Sequence, residues 1–247
     1  MNPLFDGVEA LTFDCYGTIV DWESGILQAA RELLALGQAT AAREGRGGHD
    51  GAAELISNEE LLEMFGRLES KAERPPFRRY RAVLTEVATR MGKAVDRPVS
   101  EEAASRFAAS VPKWPPFPDS RDALGRLAER YRLAIVSNVD DDLFRGTADR
   151  LGIDFDEIVT AQQVGRYKPE VEHFHEVLRR LKLPQDRIVH VAQSLYHDVA
   201  PAKALGFTCA WVDRRKGRSG PGATPPAEAT PDLVVPDLAA LAREAVG

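Results

Sequence analysis

The chain has only two cysteines in 247 residues, Cys15 and Cys209, and they do not share a CxxC spacing. A disulfide framework is therefore excluded, and a cysteine-built zinc or redox motif finds no support. Cys209, inside an apolar run, is expected in the core. Long hydrophobic runs are missing too. The most apolar stretch, ALGFTCAWV, falls well short of the roughly 20 residues that cross a bilayer, so no membrane partner is expected. An excess of positive charge is also lacking. Lys and Arg number 32 against 38 Asp and Glu, a formal net charge of -6. Such a field does not gather phosphate backbones, which argues against nucleic acid as a partner, and an anionic substrate has to be captured by local cations. The opening MNPLFDGVEA carries neither the basic nor the apolar segment of a secretory leader, so a cytoplasmic location is expected. No GxGxxG stands in strand-to-helix context, no internal repeat is visible, and His173, His175, His190 and His197 show no metal-ligand spacing and read as surface or partly buried residues.

What is present is a change of pattern along the chain. VEALTFD is a short β-prone run that delivers an acid, Asp14, into the turn YGT. From Trp22 to about Lys113 the spacing of Ala, Leu, Glu and Arg reads as helical, with Ser57 or Asn58 and Ser100 as helix starts and AREGRGGHDG as a loop. After the Pro-rich WPPFPDS, helices and apolar strands alternate, with RLAIVSN, FDEIV, RIVHVAQ and TCAWVD as strands. That alternation predicts an α/β fold with a parallel sheet covered on both faces. GRSGPGATPPAEATPD reads as an irregular arm without a catalytic role, followed by a last short helix.

Polar residues collect where strands end, which is where open α/β sheets bind ligands. Asp14 follows the first strand, Ser137 and Asn138 the second, and Gln193, Ser194 and Asp198 a later one. A carboxylate buried at a strand end is costly unless paired. Lys168 can supply the pairing charge and is expected to lower the pKa of Asp14, leaving it ionised and nucleophilic. Thr18, Ser137 and Asn138 offer short donors, and Asp198 is suited to orient or deprotonate a water that cleaves a covalent ester.

Taken in order, FDCYGT, VSN, YKPE and AQSLYHD resemble the four motifs of the haloacid dehalogenase superfamily. The resemblance implies a HAD-like Rossmannoid, doubly wound parallel sheet (1–20 and 114–247) with an inserted helical cap (21–113). It gives catalytic roles to Asp14, Thr18, Lys168 and Asp198, and assigns substrate binding to Cys15, Tyr16, Ser137 and Asn138. Two residues after the nucleophile the superfamily's phosphatases carry an acid that protonates the leaving alkoxide. Tyr16 stands there instead, as in the L-2-haloacid dehalogenase branch. Gln193 replaces an acid that helps hold Mg²⁺, so no cofactor is required; were Mg²⁺ bound, Asp14, Tyr16 and Asp198 would be its residues. The implied activity is hydrolysis of a small anionic 2-haloacid to the 2-hydroxy acid through an ester on Asp14, and a homodimer is implied as well.

The chain departs from that branch in three places. Gln193, Ser194 and Leu195 stand for Ser-Ser-Asn, Phe174 for a Tyr, and Met64 or Phe65 falls where a halide-binding arginine belongs, leaving Arg67, Lys71 or Arg78 as substitutes. Two alternatives therefore stay open, a Mg²⁺-dependent phosphatase or phosphonate hydrolase and a non-catalytic binding or regulatory protein on the same fold.

Overall fold

The computed structural model describes residues 2–43, 56–218, 220 and 222–247. Its centre is a six-stranded sheet in the order β3-β2-β1-β4-β5-β6. The strands are β1 (Ala10–Phe13), β2 (Arg132–Ser137), β3 (Glu157–Thr160), β4 (Ile188–Ala192), β5 (Thr208–Val212) and β6 (Leu233–Val235). Every adjacent pair runs parallel. β1, β2 and β4 are almost wholly buried, which is why they read as unbroken apolar runs. β6 was not anticipated. Its three residues, one of them the exposed Val234, lie at the sheet edge and carry too short a pattern to stand out from the arm before them.

Between β1 and β2 the chain forms the helices α1 (Trp22–Arg43), α2 (Asn58–Ala72), α3 (Tyr80–Ala94) and α4 (Glu101–Ala108). Ser57 caps α2 in a full capping box with Glu60, and the Ser100 side chain accepts from Ala103 N at the start of α4, as their sequences foretold. Of the expected loop AREGRGGHDG, Ala42 and Arg43 belong to α1, and residues 44–51 lie outside the described residues. The insert leaves and rejoins the core side by side. Asp21 N donates to Pro115 O at 2.8 Å, and Phe117 N donates to Ile19 O at 3.0 Å.

The remaining helices are α5 (Ser120–Ala128), α6 (Asp141–Leu151), α7 (Ala161–Val164), α8 (Glu172–Leu181), α9 (Ala200–Ala204) and α10 (Leu238–Val246). α7 is a single turn where a loop was expected, capped by the Thr160 hydroxyl accepting from Gln163 N. The segment before α9 is a π-turn, Leu195–Val199. Among the described residues no helix is long and apolar enough to cross a membrane. β1 and β4 are neighbours reached from opposite directions of winding, so the crevice between their carboxyl ends is the switch point of the sheet, where ligands of such folds sit.

The arm before β6 packs on the insert. Gly66 of α2 lies against it so closely that a Cβ there would stand 2.4 Å from Ala223 O. A Gly66→Ala variant is therefore expected to lose about 1–3 kcal/mol of stability by overpacking, read as a lower urea midpoint at unchanged slope.

Candidate active site

Parallel pairing brings four strand ends to one place. In register, Phe13 of β1 lies between Ile135 of β2 and Val191 of β4. The next residue, Asp14, donates its N–H to Val191 O at 3.0 Å and turns its carboxyl into the crevice, 6% exposed. Lys168 arrives from the loop after α7. Its ammonium donates to Asp14 Oδ1 at 2.9 Å, to Asp198 Oδ1 at 2.6 Å and to Val136 O at 2.8 Å, so all three of its protons are engaged. Asn138 fixes the lysine backbone, donating from Nδ2 to Lys168 O at 3.1 Å and accepting Lys168 N–H at Oδ1 at 2.8 Å. Thr18 Oγ1 donates to Asp14 Oδ2 at 2.8 Å and accepts Gln193 N–H at 2.8 Å, which ties the Asp14 turn to the end of β4. Asp14, Thr18, Lys168 and Asp198 thus form the expected cluster.

The electrostatics correct one expectation. Burial raises the pKa of Asp14 by more than the Lys168 ammonium lowers it, so the net displacement is upward. The single positive charge is shared, and Asp198 takes the shorter contact. Asp198 also faces His190 Nε2 at 3.1 Å, and although burial opposes it, its pKa falls to about 2. Lys168, penalised by burial, is held protonated by the two carboxylates and its pKa rises. Two polar atoms of this cluster are fully buried with no partner, Ser137 Oγ and Asp198 Oδ2.

Tyr16 lies on the cavity, and its hydroxyl is paired with Thr147 Oγ1 at 2.9 Å while its ring meets Trp114 edge-on. Burial drives its pKa well above 10, so it stays a neutral phenol. Cys15 was expected to touch substrate. Its side chain points into the core at 0% exposure and does not line the cavity, so any such contact falls to its backbone amide. Asn138 does line it, with its amide engaged by the Lys168 backbone. Cys209 is buried as anticipated. Gln193 is turned away from the cavity, its carbonyl accepting Trp211 Nε1–H at 2.8 Å. Phe174, at 0% exposure, packs edge-on against His190.

The wall opposite the strand ends was not legible beforehand. It is built by Trp22 of α1, Glu69 of α2, Glu73 just beyond it, Tyr80 of α3 and, from the arm thought to be uninvolved, Thr224. The cavity so enclosed is about 30 Å³. Glu69 is 4% exposed, accepts a short hydrogen bond from Tyr80 Oη, and has its pKa raised by burial from 4.5 to about 7. Glu73 is pushed well above 4.5, by burial first and then by Glu69. Glu69 had a signal in the sequence, a charge at the i+4 position from Phe65 on the apolar face of α2. Phe65 itself is core, between the rings of Trp22 and Phe107. None of the three cations proposed to replace the missing arginine reaches this wall. Arg67 and Lys71 face an outer groove, and Arg78 pairs with Glu86 at 2.6 Å. Two histidines were also undervalued. His197 lines the cavity, neutral with a pKa lowered by burial to about 4, and His190 links Asp198 to Thr12 Oγ1 at 2.9 Å.

Mg²⁺ fits this donor set poorly. The two carboxylates that would hold it share one ammonium, and among the described residues no group of three His, Cys, Asp or Glu side chains is gathered for a metal ion.

Residues 8–206 match the family model described as haloacid dehalogenase-like hydrolase. The chain is 25% identical over 239 residues to an (S)-2-haloacid dehalogenase of Pseudomonas putida, covering 96% of each chain. Over 101 residues, 40% of this chain and 45% of the relative, it is 35% identical to a glyceraldehyde 3-phosphate phosphatase of Methanothermobacter thermautotrophicus. The crystal structure of the L-2-haloacid dehalogenase PA0810 superposes with a TM-score of 0.76 at 24% identity, over 96% of this chain and 99% of that one.

The raised pKa of Glu69 is also a statement about stability. Its folded value of about 7 lies above 4.5, so the folded state holds the proton more tightly; the resulting stability is full below pH 4.5 and is lost as pH rises through about 7. The displacement corresponds to about 3 kcal/mol. Urea unfolding at pH 5 to 8 is expected to show this decline in the wild type and a shallower one in Glu69→Gln.

Proposed function

Because the chain belongs to the haloacid dehalogenase-like hydrolase family, we propose that it hydrolyses a small 2-haloacid to the 2-hydroxy acid by direct displacement at carbon, with Asp14 as nucleophile. The observation that carries this reading is the pairing of Asp14, Lys168 and Asp198 with a neutral, engaged Tyr16 in the position of a leaving-group acid. A halide is a weak base and leaves without a proton. An alkoxide without its general acid forfeits about 10²- to 10⁴-fold in rate.

In the first step an Asp14 oxygen attacks C2 from the side opposite the halogen, the C–X bond breaks with its electrons on the halide, and an ester forms. Ser137 Oγ, unpartnered in the cavity, and the turn amides after Asp14 and Ser137 suit the substrate carboxylate. In the second step Asp198, whose Oδ2 has no partner, takes a proton from a water that adds to the ester carbonyl. The acyl C–O bond breaks, the departing alkoxide takes that proton back from Asp198 and leaves as the hydroxy acid with inverted configuration, and Asp14 keeps the water's oxygen while the water's second proton passes to solvent. Lys168 and Thr18 steady the charge on Asp14 throughout. Neither step calls on a metal, the positive charge beside both carboxylates being the Lys168 ammonium. Capture of the anion inside an acidic chain falls to this ammonium and the neutral donors.

A second reading, a metal-dependent phosphatase, is favoured by the 35% match to the phosphatase noted above. Halide release from a panel of 2-haloacids, beside phosphate release from p-nitrophenyl phosphate, separates the two. Dehalogenation is expected to survive EDTA and to fall to background in Asp14→Asn and Lys168→Met. A single turnover in ¹⁸O-water is expected to leave the label on Asp14. EDTA-sensitive phosphate release with no halide release would replace this reading by the second.

A further inference from the structure

In-line displacement drives the leaving atom away from Asp14, off the strand ends and towards the opposite wall. That wall holds no cation. Among the described residues the only lysine or arginine on the cavity is Lys168, already bound to two carboxylates. Facing it are Glu69 and Glu73, four residues apart and so on one face of their helical segment. As four anions, Asp14, Asp198, Glu69 and Glu73 would meet an incoming carboxylate and a departing halide with a net repulsion no single ammonium offsets. The cavity is nevertheless built for a polar ligand, because Ser137 Oγ and Asp198 Oδ2 are buried in it without partners. Two carboxyl groups on this wall are compatible with an anion only as acids, and an acid is a hydrogen-bond donor.

We propose that Glu69 and Glu73 act as protonated carboxylic acids that donate hydrogen bonds to the departing group, in place of a cation on the cap side. This rests on the reading that Asp14 attacks a halogenated carbon. As the Asp14 oxygen bonds to C2, the electron pair of the C–X bond passes to the halogen, and the halide receives the two O–H donors. Both acids keep their protons, so the step needs no co-reactant. Tyr80 is a positioning residue. Its hydroxyl donates to one oxygen of Glu69, leaving the acid proton on the other free to face the cavity.

The groups facing this pair are Tyr80 from α3, Tyr167 and Lys168 from the loop after α7, Asp14 and Tyr16 after β1, and His197 and Asp198 after β4. His197, with a pKa near 4, and Asp198, near 2, have finished titrating by neutral pH, and the tyrosines remain phenols. Glu69, near 7, titrates in that window, and its ionisation removes a donor and adds a charge beside the leaving group.

Halide release is therefore expected to fall about tenfold or more in kcat between pH 6 and pH 8.5 in the wild type. In the double variant Glu69→Gln with Glu73→Gln, whose amides donate at every pH, that alkaline fall is expected to vanish, and with both residues changed to Ala turnover is expected to be low at every pH. Infrared difference spectra of the resting protein give a readout without turnover. A protonated-carboxyl C=O band is expected at pH 6 and weakened at pH 8.5 as Glu69 ionises, and this change is expected to be missing from the Gln variant. A flat wild-type profile, an unchanged alkaline fall in the Gln variant, or no such band each overturns the proposal while leaving dehalogenation by Asp14 standing. No halide release by the wild type at any pH defeats both. Should the double variant not fold, Glu69→Gln alone and the wild-type profile carry the same test.

Discussion

One ammonium held between two buried carboxylates organises this protein. Lys168 contacts Asp14 and Asp198 at 2.9 and 2.6 Å, with side chains at most 9% exposed. Removing three charges from water is expensive, and mutual attraction offsets it only with good geometry and satisfied donors. Here all three lysine protons are used, and Asn138 holds the lysine backbone from both ends. The sharing is unequal, and so are its consequences. Asp198, with the shorter contact and His190 behind it, is firmly ionised. Asp14 keeps part of its desolvation penalty as a raised pKa. Two carboxylates in one crevice are thus set apart by their surroundings, one held firmly charged and one left with a raised pKa.

The surrounding fold keeps that arrangement in place. The turn carrying Asp14 is tied to β4 through Thr18, and it is clasped from outside by Arg214, which donates to Thr18 O at 3.0 and 3.1 Å, pairs with Asp119 at 2.8 Å and lies over the Phe117 ring. Asp119 in turn accepts from the first amides of α10, so the last helix, the return from the insert and the Asp14 turn form one connected structure. The cavity is divided between two walls. The strand ends hold the Asp14, Lys168 and Asp198 cluster, and the helical insert with the arm through Thr224 forms the facing wall.

The legible part of the site was the part with a local cause. Asp14 closes an apolar strand into a Gly turn, and Ser137, Asn138 and Asp198 follow strands of the same kind, so topology alone sends them to one crevice. Lys168 was legible as their counter-charge. His190 was missed because its partner Thr12 lies on another strand, in register across the β1–β4 pair. The Cys15 side chain went to the core because neighbours at a tight turn point opposite ways in space.

From the sequence alone came the α/β class, the helical insert after the first strand, the capped starts of α2 and α4, and the meeting of Asp14, Lys168 and Asp198 at the strand ends. These are set by periodicity, capping and turn chemistry, which act over a few residues. The tertiary structure alone decided the sixth strand, the share of positive charge each carboxylate receives, and the cap wall of Glu69, Glu73 and Tyr80. Those depend on how segments far apart in the chain exclude water from one another, and desolvation belongs to the packed volume rather than to any stretch of sequence.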